Sequence, residues 1–122
     1  MPNFACHQGP EQISAADADR RVRSGEAVLL DVREADEYAA GHAPAAAWQP
    51  LVVVAAGADL PGPAADGRPV LVVCRSGNRS QRAAEVLAAR GVAALNVSGG
   101  MRAWAAAGLP VVDNAGGDGQ VI

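Results

Sequence analysis

The sequence predicts an α/β fold: a mainly parallel central sheet with helices on both faces. Three observations carry this expectation. Short, mainly apolar runs at residues 27–31, 70–73 and 94–97 are the length of strands, and the first two read as the buried strands of a parallel sheet. The stretches between them carry helix starts and stops rather than hairpin turns. The two kinds of segment alternate along the chain, the order that crossovers between parallel strands demand. With 122 residues there is room for one domain and its core, and no internal repeat divides it. Half the residues are apolar but only 3% are aromatic, so the core must be Val, Leu, Ile and Ala, with closely approaching elements.

Taken in order, residues 1–11 form an N-terminal segment and the domain runs over 12–112. Ser14 with Asp17 three residues later is an N-cap pattern, opening a helix over 15–24 that Gly25 stops. Residues 27–31 are a buried strand. Residues 34–40 read as a short helix ended by Gly41, and 45–48, after Pro44, as a weak strand or extended segment. Pro50 starts another element at 51–59, where Leu51-Val52-Val53-Val54 has strand propensity and the residues alone leave helix and strand open. Residues 61–69 are a Gly/Pro-rich surface loop. A strand at 70–73 follows, then a helix over 80–90 with Ala83, Ala84, Leu87 and Ala88 on one face and Gly91 as its C-cap. Residues 94–97 are a strand and 100–107 a closing helix. Residues 113–122 read as a flexible Gly-rich tail without a packable face.

The most informative segment is Val70-Leu71-Val72-Val73-Cys74 followed by Arg75-Ser76-Gly77-Asn78-Arg79-Ser80. Cys74 falls where strand becomes loop, at the carboxyl end of a parallel strand, the side of such sheets on which ligands bind. A cysteine ending an apolar strand is commonly an inert core residue. Here a glycine and two arginines within five residues favour the other reading. A loop curling around one sulfur turns backbone N–H groups inward as an anion nest, and nearby guanidinium groups add positive charge. Both favour thiolate, giving a nucleophile at neutral pH.

That segment resembles the active-site loop of rhodanese-like sulfurtransferases, and two further motifs agree with it. Asp31-Val32-Arg33-Glu34, Glu37-Tyr38 and Gly41-His42-Ala43-Pro44 are similar to the family's upstream signature. Gly99-Gly100-Met101, Ala103-Trp104 and Ala107-Gly108-Leu109-Pro110-Val111 resemble its closing one. The resemblance implies a single rhodanese-like domain with a sheet of about five strands, and its family position turns the ambiguous 51–59 into a helix. It also implies a Cys74 persulfide intermediate. Cys74 takes the outer sulfur of a donor such as thiosulfate or a persulfide, and cyanide or a thiol then removes it, with a thioredoxin-like protein as a candidate acceptor. In that scheme Arg75 and Arg79 stabilise the anionic donor and leaving group, and the backbone from Arg75 through Ser76, Gly77, Asn78 and Arg79 to Ser80 holds the persulfide. A persulfide carrier or regulatory binding module with the same fold and no turnover is the alternative.

Spacing bears on a third class. Four residues separate Cys74 from Arg79, whereas a Cys-x5-Arg phosphatase loop would place arginine at position 80, which is Ser80. The shorter loop suits a single sulfur better than a tetrahedral phosphate, which disfavours a phosphatase or arsenate reductase. Asp31 and Arg33 follow a strand end. They are candidates for supporting the pocket, although an ion pair bracing the loops is the commoner use of such residues. His42 belongs to a turn rather than to base catalysis, Gly99 and Gly100 shape the start of the last helix, and Trp48 and Trp104 are core or rim hydrophobes. Ala43 and Ala45 stand where the family has isoleucine and glycine, thinning the apolar contacts near His42.

A net charge of −3 gives no general attraction to nucleic acid or to anionic membranes. Two cysteines far apart describe neither a disulfide framework nor a metal site, so no metal and no cofactor is implied. Cys6 is a candidate resolving thiol, though a cysteine at a terminus is more often incidental. Residues 1–12 lack a basic start and an apolar run, and no stretch approaches the ~20 apolar residues of a membrane span. A cytoplasmic location, which suits a reducible thiol, is the expectation.

Overall fold

Residues 28, 30, 70 and 72 project to one side of a sheet and residues 29, 71 and 73 to the other, because successive side chains on a strand alternate faces. A computed structural model, describing residues 10–122, shows what covers each side. The elements run β1 (Gln12–Ile13), α1 (Ala15–Arg23), β2 (Val28–Asp31), α2 (Ala35–Ala40), β3 (Ala47–Trp48), α3 (Leu51–Ala55), a 3-10 turn (Gly62–Ala65), β4 (Val70–Val73), α4 (Asn78–Ala89), β5 (Ala94–Val97) and α5 (Gly100–Ala106). The five strands form one sheet in the order β1-β5-β4-β2-β3, with every neighbouring pair parallel. The expected α/β architecture is the one observed.

On one face Val28, Leu30, Val70 and Val72 pack with Val54 of α3 and with Ala83, Ala84 and Leu87 of α4. On the other, Leu29, Leu71, Val73 and Val97 pack with Ala15 and Ala18 of α1 and with Met101 and Trp104 of α5. Alanine at these helix positions lets backbone approach sheet, which is how a chain with so few aromatics fills two cores. Ala43 is itself buried in the second cluster. Among the described residues no helix is long and apolar enough to cross a membrane.

Several expectations about elements are corrected. β1 is absent from the sequence reading, since two residues cannot display a period. It pairs with β5 at the sheet edge, Gln12 opposite Asn96 and Ile13 opposite Val97. β3 covers only residues 47–48 of the expected 45–48, and α3 is a five-residue helix rather than nine. α4 begins at Asn78 instead of Ser80, so Asn78, Arg79 and Ser80 form its first turn; Gly77, at φ 109°, is the left-handed residue that turns loop into helix. Ser80 rather than Ala88 belongs to the buried face of α4, and Ala88 is exposed.

The tail is the largest correction. Residues 113–122 do not run free but fold back along α2. Val112 bridges antiparallel to both His42 and Asp118. The amides of Asn114 and Gln120 donate to the carbonyls of Ala39 (3.1 Å) and Ala40 (2.9 Å). Those are carbonyls that a helix C-terminus leaves without intrahelical partners. The Asp113 carboxylate accepts from the amides of Ala115 and Gly117, both at 2.9 Å, and so folds the glycine-rich turn locally. Apart from Val121, which packs against the second core cluster, the attachment runs through main-chain hydrogen bonds, which need no apolar face and leave no apolar pattern to read. Cys6 lies outside the described residues.

Candidate active site

β4 carries Cys74 to the carboxyl edge of the sheet, and the amino end of α5 decides what the next peptide units do. The amide of Met101 donates to the Cys74 carbonyl (2.7 Å) and that of Arg102 to the Arg75 carbonyl (3.0 Å). With these carbonyls drawn toward α5, the amides that follow face the sulfur. Gly99 and Gly100 make the approach feasible: both have left-handed φ, 74° and 58°, and a Cβ on Gly100 would lie 2.4 Å from the Cys74 carbonyl oxygen.

Cys74 is 1% exposed, yet its sulfur is not enclosed by hydrocarbon alone. The Gly77 amide donates to Sγ at 3.1 Å and the Ser80 hydroxyl lies 3.2 Å from it. Burial pushes the thiol pKa up. The Ser80 hydroxyl and the amides of Ser80, Gly77 and Ser76 push it down and prevail, so Cys74 lies below the ordinary thiol value. The anion is favoured by dipoles converging on it.

Around this nest is a second layer of polar contacts. Ser80 Oγ is 2.5 Å from Asn96 Oδ1, and Asn96 Nδ2 donates to Gln12 Oε1 (2.8 Å) and to the Gly77 carbonyl (3.2 Å). Gln12 Nε2 in turn donates to Gln81 Oε1 (2.6 Å). Neither Gln12 nor Asn96 stands out as a site residue in the sequence. An asparagine inside the otherwise apolar run 94–97 is the available signal.

The arginines are placed differently from what charge alone suggests. Arg79 does not stand free to receive an anion. Its Nη1 and Nη2 donate to Glu37 Oε1 (2.6 Å) and Oε2 (2.8 Å) as a two-pronged pair. The hydrogen bond from Arg79 is the main reason the Glu37 carboxyl is lowered to about 2, with the amide of Glu34 and the charges of Arg79 and Arg33 adding to it against the cost of burial. The fork with Glu37 also raises Arg79, and a smaller contribution comes from the Cys74 charge, so the guanidinium and the sulfur feel each other. Arg75, Ser76 and Asn78 are exposed. Glu37, 42 residues before Arg79, is a site residue that the sequence shows only as part of the Glu37-Tyr38 motif.

Asp31 and Arg33 make a fully buried pair. Arg33 Nε donates to both Asp31 oxygens (3.0 and 3.2 Å), and Nη2 to Asp31 Oδ2 (2.8 Å) and to the Gly41 carbonyl (2.6 Å). They tie the end of β2 to the turn after α2, the bracing use rather than direct contact with sulfur. His42 stacks on Tyr38 with ring centroids 3.9 Å apart, and its Nδ1 is 2.7 Å from the Tyr38 carbonyl. Trp48, 38% exposed, donates through Nε1 to the Arg33 carbonyl, whereas Trp104 is core and donates to the Pro110 carbonyl. A cleft of about 630 Å³ lined by Asp59, Leu60, Arg68 and Arg90 lies at the opposite end of the sheet from Cys74 and offers no nucleophile; Arg68 there is already held by Asp66.

Residues 14–107 match the family model described as a rhodanese-like domain. A rhodanese-related protein from Thermoplasma volcanium is 29% identical, with 84% of this chain and 97% of that one covered and a TM-score of 0.74. A rhodanese homolog from the extremely thermophilic bacterium Thermus thermophilus is 33% identical over 76% of this chain and 99% of its own, with a TM-score of 0.63. A thiosulfate sulfurtransferase from Pseudomonas aeruginosa, 24% identical, superposes with a TM-score of 0.73 over 93% of this chain and 22% of that one, a likeness of fold alone.

Proposed function

This chain belongs to the rhodanese-like domain family, and we propose from that premise that it is a sulfurtransferase working through a persulfide on Cys74. One observation carries the reading: a nearly enclosed sulfur at the carboxyl end of β4, with the Gly77 amide and the Ser80 hydroxyl within hydrogen-bond distance of it. Dipoles so arranged stabilise a negative charge without reorganising when it forms.

The Cys74 thiolate attacks the sulfane sulfur of a donor such as thiosulfate. A bond forms from Sγ to that sulfur, the donor's S–S bond breaks, and its electron pair leaves with sulfite. A nucleophilic acceptor, cyanide or a thiolate, then attacks the outer sulfur. The Sγ–S bond breaks, its pair returns to Sγ, and thiocyanate or a new persulfide departs. No external oxidant or reductant enters. Small sulfur donors and thiophilic acceptors are the substrates, with a thioredoxin-like protein as a candidate acceptor. Arg79, braced by Glu37, contributes field and loop shape, while exposed Arg75 meets an approaching anionic donor.

Intact-mass measurement after incubation with thiosulfate tests this. A gain of one sulfur, about 32 Da, is expected, and Cys74→Ser abolishes it in a protein that remains folded. No gain with thiosulfate or with a small persulfide overturns the proposal. A gain that neither cyanide, small thiols nor reduced thioredoxin discharges replaces the enzyme with a persulfide carrier.

A further inference from the structure

We propose that Asn96 is a positioning residue: it holds the Ser80 hydroxyl proton while Cys74 Sγ is uncharged, and yields that proton to the sulfur when Sγ becomes a thiolate. A serine hydroxyl has one proton to donate, and Ser80 Oγ has two acceptors in range, Asn96 Oδ1 at 2.5 Å and Cys74 Sγ at 3.2 Å. It serves one of them fully at a time.

The orientation of Asn96 is not free. Its Nδ2 faces the Gly77 carbonyl, which only accepts, at 3.2 Å, and Gln12 Oε1 at 2.8 Å. Oδ1 is therefore the atom turned to Ser80. Gln12 is fixed in the same sense, with its Nε2 donating to Gln81 Oε1. Ser80 is fully buried and Asn96 4% exposed, so the hydroxyl chooses between these partners in a dry setting where an unmet acceptor is costly.

The charge on sulfur decides the choice. In the thiol, Sγ is itself a donor, and Ser80 gives its proton to Asn96. In the thiolate, Sγ is an anion with a stronger claim, and the hydroxyl rotates to it. On the sulfurtransferase reading, which the next step requires, persulfide formation leaves Sγ divalent and uncharged with the negative charge on the outer sulfur. The hydroxyl then returns to Asn96, and discharge of the outer sulfur regains it for the re-formed thiolate. The charged groups nearby do not change partners: Arg79 of α4 stays in its fork with Glu37 of α2, Asp31 and Arg33 at the end of β2 stay with each other, and Arg75 of the loop and Arg102 of α5 are exposed.

The test is the pH dependence of Cys74 alkylation by iodoacetamide in the full chain, which reads the thiolate fraction whatever the protein's activity. Ser80→Ala is expected to move the profile to higher pH and slow alkylation at pH 6 by roughly threefold to tenfold, the net worth of one hydrogen bond when the hydroxyl exchanges one acceptor for the other. Asn96→Ala, by removing the competitor, is expected to move it to lower pH by a similar factor. The neutral, near-isosteric Asn96→Leu, which also removes the acceptor, is expected to move it the same way, and neither Asn96→Ala nor Asn96→Leu is expected to keep its effect once Ser80 is alanine. The proposal is overturned if Asn96→Ala and Ser80→Ala shift the profile in the same direction, or if the Asn96 effects persist without the Ser80 hydroxyl. Should Asn96→Ala not fold, Asn96→Leu alone and combined with Ser80→Ala decides between the same outcomes. A wild-type protein with these alkylation profiles that gains no sulfur removes the transferase reading and leaves the Asn96 assignment standing.

Discussion

Cys74 shows burial acting in two directions. Removing water disfavours the thiolate, but it also strengthens each amide and hydroxyl dipole aimed at the sulfur, and here the dipoles prevail. The loop residues responsible are legible in the sequence because they are contiguous: Cys74, Gly77 and Ser80 lie within seven positions. Glu37 and Asn96 are not, since nothing local in the chain shows which strand end or helix turn will face the loop. Glu37 also gives the site a pH signature. Its folded pKa of about 2 lies below the ordinary value of 4.5, so its pair with Arg79 stabilises the fold above the unfolded value, and that contribution is lost as pH falls from about 5 toward 2. For a partly exposed pair the contribution is on the order of 1–2 kcal/mol after solvent screening. Glu37→Gln is therefore expected to be less stable than the parent by that amount at pH 7 and to converge with it only as pH reaches about 2 in denaturant titrations, where the parent's folded carboxyl also loses its charge; a constant difference across pH would refute the pairing. The Asp31–Arg33 pair behaves otherwise. Asp31→Asn strands a buried guanidinium and is expected to cost about 3–5 kcal/mol by chemical denaturation.

Among the elements, α5 has a role that its own composition conceals. The sequence predicts the helix, with Gly99 and Gly100 shaping its start. Its contribution to the site is the pair of amides, Met101 and Arg102, that draw the Cys74 and Arg75 carbonyls away from the sulfur. Gly100→Ala is the discriminating change. It incurs the left-handed cost of about 1–2 kcal/mol and also drives a Cβ to within 2.4 Å of the Cys74 carbonyl oxygen, where the neighbour is main chain and cannot swing aside. The expected result is a loss of more than about 2 kcal/mol in stability together with slowed alkylation of Cys74. Gly25→Ala supplies the control: φ is 81° but nothing lies within 4 Å of its Cβ, so only the conformational cost is expected and Cys74 reactivity is unchanged. Equal alkylation rates in both variants would show that the α5 approach does not shape the nest.

For the molecule as a whole, the alternation of strands and helices is legible because each buried strand is a continuous apolar run and each long helix has a start or stop residue. What stays hidden is held by main-chain hydrogen bonds: the two-residue β1, which brings Gln12 beside Asn96, and residues 113–122, which have no side-chain pattern to read. The tail also reaches the site indirectly. Its amides fill the carbonyls of Ala39 and Ala40 at the end of α2, and the Gly41 Cα sits so close to the Gln120 main chain that a Cβ there would lie 2.3 Å from the Gln120 carbonyl oxygen. α2 buries no residue of its own; besides these contacts it is held by the Gly41–Arg33 bond, the Glu37–Arg79 fork and the contacts of Tyr38 with His42, Ala46 and Trp48. A chain ending at Val112 is thus expected to keep the sheet and lose the seat of α2. The loss of three main-chain hydrogen bonds, of the Val121 contact with the second core cluster and of the packing at Gly41 is worth about 1–3 kcal/mol, a fall of several degrees in Tm for a domain of this size. Hydrogen exchange locates the effect, with amides of α2 expected to exchange faster in the shortened chain while those of β4 and α4 keep their protection relative to the lower global stability. Unchanged exchange in α2 would mean that the tail merely rests on the helix, and the coupling from tail to Glu37 to Arg79 would fall with it.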